Sequence, residues 1–153
     1  MAETAARPAP PAGPSPGGPF PARAFPELAA GSPSELVAAV RDGLPAERFD
    51  ALRDVLGVPS AELAAVLRLS PSTLRRRRER GHFDELESDR LVRLAHVVVR
   101  AVEVMESERD ARAWLTSPSH ALGGEAPLDY ASVGTGAREV ERLLTRIEHG
   151  VFS

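Results

Sequence analysis

The chemistry-bearing feature of this sequence is a run of four arginines, Arg75–Arg78, followed by a fifth at Arg80. Arginine keeps its charge at physiological pH and forms forked hydrogen bonds to phosphate and to guanine. Adjacent like charges on one helix repel each other unless a polyanion is at hand to neutralise them. The run therefore predicts contact with nucleic acid, and the alternative is a solvated arginine face on a helix pair that only packs.

The arginines end a segment, residues 60–81, whose spacing is that of a helix-turn-helix. A small residue, Ala64, stands where two helices would cross, and Leu69 and Leu74 supply the apolar turn and the apolar anchor. Ser60 and Ser70 are predicted helix caps, and Gly81 is a predicted stop. If Leu74 is buried, the exposed face of the second helix that would contact base edges comprises Ser72, Arg75 and Arg76. The full predicted DNA-binding set is Ser72, Thr73, Arg75, Arg76, Arg77 and Arg78.

Other kinds of chemistry find little support in the residues. Cysteine is absent, and the four histidines are too far apart in sequence to share a metal on one helical face. No Ser/His/acid arrangement or phosphate-cradling glycine loop is present. We therefore predict no metal, no cofactor and no catalytic residue, so that the protein is not an enzyme. No apolar stretch is long enough for a membrane span and no signal-peptide pattern is seen, which predicts a cytoplasmic protein.

The surrounding sequence divides into three parts. Residues 1–33 hold nine of the fourteen prolines and are predicted to be a disordered tail. Helical periodicity then predicts an all-α fold, with a helix-turn-helix domain over 34–83 and a second helical domain over 84–153. The first domain has nine arginines against seven acids and the second has eight against thirteen. This asymmetry predicts different partners for the two domains, with nucleic acid plausible only for the first.

Two helices dominate the second domain. The first is predicted from about Glu85 to Glu106, and apolar residues surround most of its circumference. Such a helix must be central to the fold or shared with another subunit. On this ground, and because helix-turn-helix DNA readers commonly use two-fold symmetry, we predict a homodimer. The last helix has Val140, Leu144 and Ile147 on one face and ends at Gly150.

Between these helices lies a glycine- and proline-containing loop. Gly123-Gly124 allows a reversal of the chain at positive φ, and Pro127 stiffens the segment that follows. A rigid projecting loop suits partner binding, although an ordinary connection between helices would look similar. The terminal Val151-Phe152 is apolar, and it either folds back on the last helix or inserts into a partner.

Four stretches of the chain, within Leu44 to Ser153, resemble the Xre/MbcA/ParS-type antitoxins. They are LAAVLRLSPSTLRRRRERGHF, LESDRLVRLAHVVVRAVEVM, AWLTSPSHALGGEAPLD and GAREVERLLTRIEHGVFS. The resemblance implies a carboxy-terminal domain that neutralises a toxin of the NAD-consuming RES-domain class, or a related ADP-ribosyltransferase-like toxin, by covering its active site. It also implies repression of the operon through operator DNA. The toxin-binding set it implies is Leu122, Gly123, Gly124, Pro127, His149, Gly150, Val151 and Phe152.

Two other interpretations remain open from the sequence. One is a stand-alone helix-turn-helix regulator, whose carboxy-terminal half only dimerises and which has no toxin. The other is an antitoxin that has lost DNA binding, because its second helix has arginines in place of the mixed polar residues of typical readers and the net charge is −3. The loop from Pro118 to Asp129 favours the toxin-binding interpretation, since a region that only dimerises has little use for it.

Overall fold

The computed structural model describes residues 20–150, and over this range the chain is helical without any strand. The prediction of an all-α fold is thus confirmed. Within the range no helix is both long enough and apolar enough to cross a bilayer. A single 3₁₀ turn covers His120–Leu122, and the α-helices are α1 (Pro26–Ala30), α2 (Pro33–Asp42), α3 (Glu47–Leu56), α4 (Ser60–Val66), α5 (Pro71–Arg80), α6 (Glu85–Met105), α7 (Glu108–Thr116), α8 (Pro127–Tyr130) and α9 (Gly134–Glu148).

Helices α4 and α5 form the predicted helix-turn-helix. The Ser70 hydroxyl caps α5 by accepting a hydrogen bond from the backbone N–H of Thr73 at 3.1 Å, and Gly81 ends the helix at φ 93°. Leu74 is buried as the anchor requires. The predicted cap at Ser60 was wrong, because α4 starts at that residue and its hydroxyl accepts a hydrogen bond from Arg53 instead.

Helix α6 is the centre of the fold. Asp84 and Glu87 form a capping box at its start, and α2, α7 and α9 pack around it. Most of its apolar residues are therefore covered within the chain, including Leu91, Leu94 and Val98, and Leu86 in the first turn is exposed. The prediction that α6 is central is confirmed, but its apolar circumference no longer argues for a homodimer.

The amino-terminal segment departs from the prediction of disorder up to residue 33. Phe20, Ala24 and Phe25 are buried in the core, and Glu27 of α1 forms an ion pair with Arg48 at 2.8 Å. Two phenylalanines bury enough apolar surface to offset the entropy of ordering this short stretch, although its composition is rich in proline. The predicted boundary is corrected accordingly, and residues 1–19 of the predicted tail lie outside the described residues.

The two halves of the chain are joined by contacts as well as by α6. Arg112 of α7 donates hydrogen bonds to the carbonyl oxygens of Val55 and Asp54 at 2.9 and 3.0 Å, at the last turn of α3. These carbonyls belong to the group that a helix end leaves without partners, so Arg112 acts as a cap supplied from the other half. The helix-turn-helix is consequently held in a fixed position on the carboxy-terminal half.

Candidate functional site

The outer face of α5 presents three of the six residues predicted to contact DNA. Ser72, Arg75 and Arg76 are exposed, and no acidic side chain of the described residues forms an ion pair with either arginine. Thr73 is half-buried, and its hydroxyl accepts hydrogen bonds from Ser70 and from Arg76 at 2.8 and 3.3 Å. The face therefore has two uncompensated guanidinium groups, one of them oriented by Thr73.

Arg77 is not free for the contact with DNA that the sequence predicts. Its guanidinium forms an ion pair with the buried Glu87 at 2.6 Å and a longer one with Asp84 at 3.5 Å. The hydrogen bond to Glu87 raises the pKa of Arg77 above its ordinary value, which burial of the group opposes only in part. Arg77 thus attaches α5 to the start of α6.

Arg78 is also engaged inside the molecule. It forms an ion pair with Asp50 at 2.7 Å, and its guanidinium carbon lies 5.4 Å from the centre of the Phe49 ring in α3. The arginine run therefore divides into two pairs with different roles. Arg77 and Arg78 hold α5 in place, and Arg75 and Arg76 remain for a partner. Because acidic residues of the chain neutralise two of the four arginines, a polyanion is needed to neutralise only the other two.

The sequence interpretation missed Arg68, which lies in the turn directly before α5. It adopts φ 57°, a left-handed conformation that costs a residue other than glycine about 1 kcal/mol or more. Its side chain is exposed and forms no ion pair with the described residues. The sequence did hold a signal for this residue, because an arginine occupies a turn position that glycine would adopt more easily.

The loop after α7 is exposed at its tip and buried at its base. Gly123 and Gly124 have φ 69° and 92°, which confirms the predicted positive-φ reversal, and both are exposed. Backbone hydrogen bonds from Gly124 to Ser119 and from Ser119 to Glu125, both 2.9 Å, close the loop.

Two residues of the predicted toxin-binding set belong to the base of this loop. Leu122 and Pro127 are buried against the core of the chain itself, so they are not available to touch a partner and that prediction is corrected. Both are apolar residues beside short helical turns, where burial is the ordinary outcome. Their role is to fix the loop that displays the two glycines.

At the other end of this half, Arg100 of α6 holds the end of α9. Its guanidinium forms a bidentate ion pair with Glu148, with Nη1 3.2 Å from Oε1 and Nη2 closer still to Oε2. His149 and Gly150 follow and are exposed, with Gly150 at φ 68°. Val151 and Phe152, the remaining predicted toxin contacts, lie outside the described residues.

This pair gives the end of α9 a pH dependence. The hydrogen bond from Arg100 lowers the pKa of Glu148 below its ordinary 4.5, and the charge of His149 adds to the effect. A carboxyl group with a lowered pKa stabilises the folded state above its unfolded pKa, and that stabilisation is lost as the pH falls through the folded-state pKa. We expect the last turn of α9 to loosen only below about pH 4.5.

Carboxyl chemical shifts measured by NMR over a pH titration check this expectation. Arg100→Ala should return the Glu148 pKa towards its ordinary value, whereas Arg142→Ala, which removes an equal charge elsewhere on α9, should leave it unchanged. A Glu148 titration that is the same with and without Arg100 would contradict the assignment.

The structure does not bring the two parts of the predicted toxin-binding set, the glycine loop and the residues after α9, together. Gly136 at the start of α9 packs against Tyr130 of α8, near the glycine loop, while His149 lies at the opposite end of this 15-residue helix, about 20 Å away. The outer face of α9 connects them through Thr135, Arg138, Arg142 and Thr145, all exposed. At the end of this face nearest the glycine loop lies an open groove of about 630 Å³, which is lined in part by Asp129, Arg138 and Arg142.

The sequence interpretation did not single out these α9 residues, because alternating arginines and glutamates are typical of any solvated helix. We call the exposed surface from Gly123 through the outer side of α9 to His149 the α9 face. Among the described residues no cluster of three histidines or acids is placed to hold a metal ion.

The fold and these two surfaces define a class of protein: a helix-turn-helix joined to a second helical module through one shared helix. Comparison with known families agrees in both parts. Residues 35–96 match the family described as the antitoxin Xre-like helix-turn-helix domain, and residues 100–150 match the antitoxin Xre/MbcA/ParS C-terminal toxin-binding domain. The matched segments meet inside α6, whereas the sequence interpretation placed the boundary at residue 83.

Curated relatives give the same answer over most of the chain. The chain is 33% identical over 120 residues to an Antitoxin Xre of Yersinia enterocolitica, a match that covers 77% of this chain and 81% of the relative. It is 28% identical over the same shares to an Antitoxin Xre of Photorhabdus laumondii. A Prs ADP-ribosylating antitoxin of Sphingobium sp. is 27% identical over 140 residues, covering 85% and 88% of the two chains. The chain belongs to the Xre family of antitoxins, with a helix-turn-helix domain and a toxin-binding domain.

Proposed function

We propose that this chain is the antitoxin of a type II toxin–antitoxin pair, and that it neutralises in the cytoplasm an NAD-degrading RES-domain toxin or an ADP-ribosyltransferase-like one. The observation that carries the proposal is the α9 face, an exposed surface in the segment that matches a toxin-binding domain. The name of the Sphingobium relative, which speaks of ADP-ribosylation, supports this range of toxin chemistry.

The geometry favours docking with little rearrangement of the antitoxin. The glycine loop is closed by its own hydrogen bonds, and Arg100 holds the end of α9 through Glu148. A surface that is already ordered loses little conformational entropy on binding, so more of the contact energy appears as affinity. The apolar Val151-Phe152 that follows would then enter the active site of the toxin and cover it.

We further propose that the protein represses its own operon as a homodimer. Ser72, Arg75 and Arg76 would read base edges, and Arg68 would contact phosphate beside them. In this assignment Arg77 and Arg78 contribute by fixing the angle of α5 rather than by touching DNA. The antitoxin and operator activities then use separate surfaces of the same chain.

Growth of a bacterial host that expresses the neighbouring toxin gene tests the antitoxin activity. We expect the full chain to relieve toxicity, and a chain truncated after Glu148 to fail. We expect Arg138→Glu with Arg142→Glu to fail as well, because the two substitutions reverse the charge of the α9 face without touching the core. A matched control, Arg75→Glu with Arg76→Glu, makes the same charge change on α5 and should still protect.

One result would overturn the proposal, and another would overturn only the contact surface that it assigns. A neighbouring gene that is harmless on its own, together with specific operator binding by the chain, would identify a stand-alone regulator. Protection by the truncated chain and by the α9 variant would keep the antitoxin activity but move the contact to another surface.

A further inference from the structure

The chain before α2 is attached to both halves of the molecule. Phe20 and Phe25 are buried in the core, and each precedes a proline. The backbone N–H groups of Ala24 and Phe25 donate to the carbonyl oxygen of Pro21 at 2.9 and 2.6 Å, which closes a turn between the two rings. We call residues 20–28 the strap. It lies before the first of the two matched family segments, so membership of the family assigns it no role.

The strap forms ion pairs with both halves. Glu27 accepts three hydrogen bonds from the guanidinium of Arg48 in α3, at 2.8, 3.1 and 3.2 Å, and both side chains are mostly buried. Arg23 forms an ion pair at 2.9 Å with Glu108, the first residue of α7. Ion pairs that are partly withdrawn from water are screened less than exposed ones. The strap therefore connects α3 of the helix-turn-helix half to α7 of the carboxy-terminal half.

Helix α7 supports the base of the glycine loop. It packs against α8, which follows the loop, and Leu115 of α7 shares a core with Leu122 of the loop base. Arg112 attaches α7 to the end of α3 one turn after the helix begins, and the strap holds its first residue. A helix attached at one point can pivot, whereas two attachments fix its direction. The direction of α7 in turn sets where Gly123 and Gly124 lie.

We propose that the strap is a positioning element for the toxin contact: by holding the start of α7 it fixes the glycine loop at its end of the α9 face. The inference rests on the proposed function, since the glycine loop is part of the surface assigned there to the toxin. An ordered surface loses less conformational entropy on binding than a mobile one. Release of the strap should therefore weaken the toxin complex, although the strap acts only through its own chain.

Hydrogen–deuterium exchange of the free full chain, followed by mass spectrometry, tests the hold on α7. Glu108→Arg replaces the ion pair with Arg23 by two like charges, and the amides of α7 should exchange about tenfold faster as the helix opens locally. Asp110→Arg is the matched control, because it makes the same charge change in the same turn. Asp110 is exposed and forms no ion pair with the described residues, so exchange should stay within about twofold of the wild-type rate.

A rescue variant separates a positioning role from a general loss of stability. Arg23→Glu added to Glu108→Arg rebuilds the pair with its charges exchanged, and α7 exchange should return to within about threefold of the wild-type rate. The amides of α9 are the internal reference, because global unfolding would expose them as well. Their exchange rates should be the same in all variants.

The growth assay measures the consequence for the toxin. A host that expresses the neighbouring toxin gene should need about tenfold more of the Glu108→Arg chain than of the wild type to resume growth, since a less ordered loop binds with lower affinity. Asp110→Arg and the double variant should protect at wild-type levels.

The possible failures are distinguishable. Equal α7 exchange in Glu108→Arg and in the wild type would overturn the hold of the strap on α7. Faster exchange with unchanged protection would overturn its role in the toxin contact. A wild type that does not protect at all would overturn the proposed function and with it the toxin role of the strap, while the exchange rates would still decide whether the strap holds α7.

Discussion

Gly43→Ala should lower the free energy of unfolding of the helix-turn-helix half by about 4 kcal/mol, a large share of the 5–15 kcal/mol that stabilises an ordinary domain. Gly43 has φ 92° and ψ 121°, a conformation that side-chain-bearing residues rarely adopt. A Cβ atom at this position would lie 2.2 Å from the carbonyl oxygen of Phe83. Relief of that overlap requires two backbone segments to separate.

The segments that would separate are the ones that hold the end of α5. The backbone N–H of Phe83 donates to the carbonyl oxygen of Leu44 at 2.9 Å, and that of Leu44 donates to the buried hydroxyl of Ser88 at 2.8 Å. Each of these buried groups costs about 1–3 kcal/mol when left without a partner. The strain at Gly43 and the loss of these bonds together give the expected effect.

Gly81→Ala is the matched control. Gly81 has nearly the same φ, 93°, but an added Cβ would meet no atom within 4 Å. The substitution should therefore cost only the left-handed conformation, about 1 kcal/mol. Urea denaturation followed by circular dichroism at 222 nm measures both values. Equal losses for the two variants would show that the contact with Phe83 is not what requires glycine.

Features set by neighbours along the chain could be predicted from the sequence. The cap at Ser70, the stop at Gly81 and the bounds of α6 follow from local hydrogen bonding and helical periodicity, and the structure confirms them. The burial of Leu74 follows from the same periodicity. The positive-φ reversal at Gly123-Gly124 is local in the same sense.

Features set by distant residues could not be predicted. Phe20 and Phe25 are buried in the core, and ion pairs join their segment to Arg48 and Glu108, but the proline-rich composition around them concealed this. The different roles of Arg75 and Arg77 depend on Glu87, whose position beside α5 is a matter of tertiary packing. Four consecutive arginines look equivalent in sequence, and the helical wheel separates their directions but not their partners.

That division among the arginines leads to the second large effect, on operator binding. Arg75→Ala with Arg76→Ala should weaken binding of the DNA upstream of the operon about 100-fold, because each arginine at a base edge contributes about 1–3 kcal/mol. Loss of two positive charges per copy should also flatten the salt dependence of the affinity. Fluorescence anisotropy of the labelled DNA fragment at several salt concentrations measures both quantities.

The control must remove the same charge from another surface. Arg138→Ala with Arg142→Ala does so on the α9 face and should leave operator affinity within about twofold, since α9 lies outside the helix-turn-helix. Arg77→Ala should act in a third way, because it leaves the buried Glu87 without its cation: it should lower the free energy of unfolding first and DNA affinity only as a consequence. Operator affinity that is unchanged by loss of Arg75 and Arg76 would place DNA reading elsewhere. A wild type that binds no operator even at low salt would instead identify an antitoxin whose helix-turn-helix serves only to support the toxin-binding half.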